Sequence, residues 1–172
     1  MTKFPPIRTI TNNIERVTFA LCCTNEIQPE GSMLTAIAIA TSNCPIFAMT
    51  DDDGPISIAI CSLPLPGLAR RLRFIWTVPG YRGKGHSLAL ARHVARSAPH
   101  VGVAVRSKAE RRLAKRAGFT HWRRVPGEKG HWAGATTIEA FELKFAHPEP
   151  TPALIADALR AFSAAQLQVW RG

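Results

Sequence analysis

The chain has 172 residues, 46% of them hydrophobic, which excludes a disordered polymer and is enough to bury a core without disulfide or metal staples. Lysine and arginine total 22 against 12 acids, a formal charge of +10 that favours polyanionic partners. No run reaches the roughly 18 apolar residues of a membrane span. The start, MTKFPPIRTITNN, lacks the apolar stretch of a secretory leader.

The cysteines (Cys22, Cys23, Cys44 and Cys61) form no C-x-x-C, and the histidines show no metal-ligand spacing. Reduced thiols and a cytoplasmic location are expected, with no metal.

In chain order, TNNIERVTFALCC predicts a helix capped by Thr11 or Asn12, with Ile14, Val17 and Leu21 on one face. EGSMLTAIAIATSN predicts a second helix capped by Ser32; strand competes there, because TAIAIAT also alternates. PIFAMT and ISIAICSL flank the acidic turn DDDGP and predict a hairpin. LRFIWTV is the next strand. The turn PGYRGKG then feeds a helix from about His86 to Arg96, with Leu90, Ala91, Val94 and Ala95 inward and Arg92 and Arg96 outward. HVGVAV, almost wholly apolar, reads as a buried central strand. SKAERRLAKRAGF predicts a helix capped by Ser107 and stopped by Gly118, with Ala109, Leu113 and Ala117 inward. THWRRV and TTIEAFELKF predict two closing strands. EPTPALIADALRAFSAAQLQVW predicts a C-terminal helix capped by Thr151, with Pro152 in its first turn. The order predicts a single mixed α/β domain: a helical region over 1–43, a core sheet over 44–145 and a terminal helix over 151–170.

TVPGYRGKGHSLALAR, residues 77–92, places a strand end, a glycine-bearing turn and a helix start in one stretch. Amides at a helix start are unpaired and sit at the positive end of its dipole, so such a turn is built to hold an anion. Gly83 and Gly85 let backbone approach a phosphate, and Arg82 and Lys84 add charge. The segment is neither a P-loop nor a G-x-G-x-x-G fingerprint.

Arg82-Gly83-Lys84-Gly85-His86-Ser87 resembles the [Q/R]-x-x-G-x-[G/A] motif of the GCN5-related N-acetyltransferases, the GNAT superfamily, and SKAERRLAKRAGF resembles that family's second motif. The resemblance runs from about Leu72 to Phe119. It implies a GNAT fold: an α/β domain with a central mixed sheet, a V-shaped splay between the fourth and fifth strands, flanking helices, and here an extra C-terminal helix. It implies acetyl-CoA as cofactor, its pyrophosphate against the backbone of Arg82 to Ser87 and its pantetheine between the strand of Trp76, Thr77 and Val78 and the strand near Val103 to Val105. A backbone N–H near Val78 would polarise the thioester carbonyl. Ser107 stands where the second motif has its asparagine. His86, in place of an aliphatic residue, would either pack or add a cation when protonated. Ser87, in place of glycine or alanine, would turn its side chain away or donate to the phosphate.

Ala114 occupies the position of the family's acid tyrosine, and the preceding strand carries no carboxylate base. Glu128 and His131, in the loop PGEKGHW, are the candidates for a base; His121 and the Asp51–Asp53 turn are weaker ones. Lys108, Arg111, Arg112 and Lys115 on one helix face, with Arg123 and Arg124, predict a surface for DNA or tRNA, with the tryptophans as a stacking platform. The expected function is direct acetyl transfer from a CoA thioester to an amine, either free or carried on nucleic acid, by a monomer or homodimer. The alternatives are a base-modifying enzyme resembling phage Mom that no longer uses acetyl-CoA, and a non-catalytic basic module.

Overall fold

A computed structural model describes residues 4–12, 15–16, 18–20, 44–62, 69–141, 156 and 160, with Ala69 described by its backbone only. Seven strands form one sheet in the order β1-β2-β3-β4-β5-β7-β6. They are β1 (Ile7–Thr9), β2 (Ile46–Asp51), β3 (Gly54–Ser62), β4 (Ala69–Thr77), β5 (His100–Val105), β6 (His121–Arg124) and β7 (Trp132–Ala135). Helices α1 (His86–Arg96) and α2 (Lys108–Ala117) follow β4 and β5. Among the described strands only the β4–β5 pair is parallel, as a strand–helix–strand crossover requires.

The predicted hairpin forms on the acidic turn, where Gly54 takes a positive φ of 126° that disfavours any side chain. The sheet then divides the core. On one face α1 and α2 cover Phe47, Leu72, Leu90, Val94, Val101 and Phe119. On the other, Ile10, Phe19, Ile46, Ile58 and Ile60 pack with Phe74 and Trp76. Burying a side chain such as Leu90 or Ile58 contributes about 1.5–3 kcal/mol.

The predicted first helix is helical at each described residue from 15 to 20, and Asn12 is its cap, its Oδ1 accepting from the Glu15 N–H at 3.2 Å. Ile14, Val17 and Leu21 lie outside the described residues, as do Cys22, Cys23 and the predicted second helix. The C-terminal helix also lies outside them, apart from Ala156 and Arg160, both helical.

α2 follows its sequence signals at both ends. Ser107 accepts from the Glu110 N–H at 3.1 Å, and Glu110 reaches back to the Ser107 N–H, a complete capping box; Gly118 closes the helix at φ 113°.

Three expectations are corrected. Strand β1, three residues long, was not predicted; Ile-Arg-Thr is too short to show a period. The last described strand is Trp132–Ala135, and of the strand expected over 136–145, Thr136 to Phe141 form bends and a 3-10 turn while 142–145 lie outside the described residues. Thr136 is held there instead, its hydroxyl accepting from the Val101 N–H at 2.9 Å. On α2, Ala109 is exposed, and the inward residues are Ala114 and Ala117 with Arg111 and Leu113 half-buried.

Glycine explains why the WAGA segment is a strand. The Trp122 ring lies across Gly134, its register partner, and a Cβ at Gly134 would stand 2.7 Å from that ring. Gly134→Ala is therefore expected to expel Trp122 and destabilise the fold by about 1–3 kcal/mol, against under about 0.5 kcal/mol for Gly80→Ala, where a Cβ meets nothing within 4 Å. Thermal unfolding of the two variants checks this.

Candidate active site

The site begins with a one-residue irregularity in β4. Ile60 pairs with Phe74, but the next residue of β3, Cys61, pairs with Leu72. Arg73 is the extra residue, a β-bulge that bends its strand. The parallel ladder with β5 runs from Ala69↔His100 to Leu72↔Val103 and stops there. Beyond it Arg73–Thr77 and Ala104–Val105 are not paired to one another, so the strands part where the splay was expected. Arg73 is half-buried at this apex, its guanidinium 5.4 Å from the Phe74 ring centre, and burial holds its pKa below the usual arginine value.

Val78 does not fill the role assigned to it. Its N–H donates to the Ile56 carbonyl of β3 at 3.0 Å, so it faces away from the gap. Peptide groups alternate in direction along an antiparallel strand, so those of Thr77 and Ile75 face the gap instead. The sequence motif could not show this, because the bulge sets which amides point outward.

The turn after β4 is fastened on several sides. Tyr81 donates its hydroxyl to Asp51 at 2.6 Å, tying the turn to the β2–β3 hairpin. Lys84 places its ammonium 5.2 Å from the Tyr81 ring centre. Arg82 Nε donates to the Thr77 carbonyl at 3.0 Å, so its side chain folds back over the end of β4. Ser57 donates to the Trp76 carbonyl at 3.0 Å, and its oxygen lies 2.7 Å from the Thr77 hydroxyl, which lies 2.7 Å from that of Ser87. A hydroxyl has one proton, so Thr77 donates to Ser57 and Ser87 to Thr77. Ser87 therefore turns its proton inward.

Gly85 caps α1 in the left-handed region at φ 91°, no side chain caps the helix start, and its first turn carries no acid. Gly83, at φ 76°, has open space where a Cβ would stand. The first-turn amides of α1 are thus presented without a competing carboxylate, which fits a diphosphate. His86 does not add a cation. It is 6% exposed, meets Phe4 and Tyr81 edge-to-face with centroids 5.2 and 5.9 Å away, and its Nδ1 has no partner among the described residues. Burial, then Lys84, hold its pKa below the ordinary imidazole value.

The other predicted residues are dispersed. The Ser107 hydroxyl is used in the α2 cap. Trp76 packs in the core on the far face of the sheet. His131 and Glu128 contact each other through Nδ1 and Oε2 in the β6–β7 loop. Next to them Trp132 pairs with Val105, at the end of β5 that borders the gap.

The predicted basic surface is not one face. Lys108, Arg112 and Lys115 are exposed on α2. Arg111 is half-buried between two indoles, 3.6 Å from the Trp132 ring centre and 5.2 Å from that of Trp122. Arg124 also lies over Trp132, at 5.3 Å. Arg123 alternates with Trp122 and points to the opposite side of the sheet. Trp122 and Trp132 are therefore covered by arginine and offer no open platform. Among the described residues no three His, Cys, Asp or Glu side chains gather as a metal site, and no helix is long and apolar enough to cross a membrane.

No protein-family model matches the sequence, and no curated protein matches it significantly. Solved structures do. A histone acetyltransferase HPA2 and related acetyltransferase from Corynebacterium glutamicum is 17% identical, with a TM-score of 0.61 over 85% of this chain and 99% of that one. A protein assigned to the GNAT acetyltransferase family, from Desulfovibrio desulfuricans, is 16% identical, with a TM-score of 0.58 over 76% of this chain and 95% of that one. An aminoglycoside N-acetyltransferase in complex with CoA is 14% identical, with a TM-score of 0.57 over 75% of this chain and 97% of that one. At these identities the likeness establishes the architecture: this chain has the GNAT fold.

Two packed histidines, His86 buried and His93 half-buried, give a pH prediction. His86, and His93 packed on Phe47, have folded pKa values lowered chiefly by burial. The stability from keeping them neutral is complete above about pH 6.5, and is lost as pH falls towards their folded values, because the unfolded chain takes up the proton first. The melting temperature is expected to fall on acidification from about pH 7.5 to 5, and less steeply in His86→Phe. Parallel slopes would show that His86 carries none of this dependence.

Proposed function

We propose that the protein is an N-acetyltransferase that moves an acetyl group from acetyl-CoA directly to an amine. The observation that carries this reading is the end of the parallel ladder at Leu72↔Val103, which leaves the Ile75 and Thr77 amides facing a gap beside an uncapped helix start.

The first-turn amides of α1, from His86 to Leu88, would hold the diphosphate, with Lys84 and Arg82 adding positive charge at its edge. The Ile75 and Thr77 amides would hydrogen-bond the extended arm and the carbonyl oxygen of the thioester. There an N–H is worth most in the transition state, when that oxygen carries developing negative charge. Bound acetyl-CoA supplies an acyl group activated as a thioester. His131, in contact with Glu128 beside the end of β5, would take the proton from the attacking amine. Ala114 is buried where the family resemblance expects a tyrosine acid, and Tyr81 is engaged with Asp51. The leaving thiolate therefore draws its proton from solvent.

Two measurements test the reading. Acetyl-CoA at a hundred times its Kd stabilises the native state by about 2.7 kcal/mol and raises the melting temperature accordingly. Arg82→Ala combined with Lys84→Ala is expected to weaken that shift. Its persistence unchanged would move the cofactor away from this turn. No shift in the unmodified protein would favour a GNAT scaffold that has given up acyl-CoA, the reading to which the missing tyrosine and strand carboxylate point.

In a thiol-release assay against a panel of amines, His131→Ala is expected to lower kcat by about 100-fold while leaving CoA affinity intact. An unchanged kcat would remove the loop from the mechanism.

A further inference from the structure

We propose that a cleft lined by Arg71, Arg123 and Arg124 binds a phosphate group of the acyl acceptor. It lies on the sheet well away from the α1 turn, with a volume of about 500 Å³, within the range of small-ligand sites. No aspartate or glutamate is among its described lining residues.

Strand alternation places it. Arg71 alternates with Leu72, and Gly102 with Val101 and Val103, all of which belong to the core under α1 and α2. Arg71, Gly102, Ala133 and Arg123 therefore sit on the opposite face, with register pairs Arg71↔Gly102 and Arg123↔Ala133. Glycine and alanine leave the floor shallow, so a ligand can approach the sheet between guanidinium groups. Arg123 is already positioned: its Nη2 donates to the Phe141 carbonyl at 3.0 Å, and its guanidinium lies 4.5 Å from the Phe141 ring centre. Arg71 and Arg123 set two cations in one concavity with apolar walls, which focuses positive potential, and guanidinium geometry matches phosphate oxygens; Arg124 lines the edge, its guanidinium turned over Trp132 on the other face.

The position explains why the occupant is an acceptor. Arg71 lies six residues before Thr77 on β4, about 20 Å from the turn at the strand's end, so the cleft is not the diphosphate cradle. It adjoins the rungs Arg71↔Gly102 and Leu72↔Val103, the last before the strands part at Arg73. A molecule anchored here by phosphate has its remaining atoms beside the apex of the gap. The assignment of the ligand as acceptor rests on the acyl-transfer reading; the anion site itself does not.

The test uses the full chain carrying Arg82→Ala and Lys84→Ala, so that the α1 turn contributes little, and titrates it calorimetrically with inorganic tripolyphosphate and with an oligothymidylate. Binding of either probe is expected, and Arg71→Gln or Arg123→Gln should weaken it by about tenfold, the loss of one charge-assisted contact. Arg112→Gln, on the exposed face of α2, should leave it unchanged. If Arg71→Gln fails to fold, Arg123→Gln at an exposed position carries the comparison. Tighter oligothymidylate binding with a steep salt slope assigns the phosphate to a nucleic-acid backbone, and equal or tighter tripolyphosphate binding assigns it to a small acceptor. No binding, or equal weakening by Arg112→Gln, overturns the proposal. CoA titration of the parent protein separates the two readings: phosphate bound without CoA leaves the cleft standing alone, and CoA bound without phosphate leaves the transferase reading standing alone.

Discussion

The site depends on a single extra residue. Four rungs hold β4 and β5 together, and the bulge at Arg73 then turns the rest of β4 out of register. Backbone groups in a sheet interior are ordinarily paired, because an unpaired buried amide costs as much as a lost hydrogen bond. This chain leaves part of that pairing open on one side of β4 while the other side pairs with β3 from Phe74 to Thr77, where even Val78 beyond the strand end remains bonded to Ile56. The opening is therefore a feature of a rigid sheet and not a frayed end.

The same rigidity extends into the turn. Tyr81 reaches the hairpin, Arg82 the carbonyl of Thr77, and Ser87 the hydroxyl chain that ends on Trp76, so consecutive parts of the turn are held by different strands. His86 is packed between two rings, and burial lowers its pKa and so favours its neutral form, leaving the positive potential at the helix start to backbone and to Lys84 and Arg82. A binding surface ordered in advance loses less entropy when a ligand arrives.

What the sequence disclosed follows from the range of the forces involved. Both helices were legible to within a residue because their signals are local: Ser107 with Glu110 at one end of α2 and Gly118 at the other, and Gly85 before α1. The hairpin was legible from its turn. Strand β7 was not, since WAGA has little strand propensity and forms because Trp122 needs the space above Gly134, a contact between separate strands. The rotation of α2 was missed for a related reason. Arg111 reads as a surface cation, yet two tryptophans from β6 and β7 draw it inward, and Ala109 is left exposed in consequence. The glycine turn could be read as an anion site from its residues alone, but the amides that face the gap could not, because an invisible bulge reverses their direction.

Among the described strands, β1 and β6 are the two ends of the sheet. Such margins invite a second molecule to add its own strand, and long flat ones seed fibrous aggregates. Here one margin is three residues long and the other four, and the latter carries Arg123 and Arg124 side by side. Two copies meeting along that border would bring like charges together over a short span, so the arginines that recommend this end of the molecule as a place for anions also discourage it from polymerising.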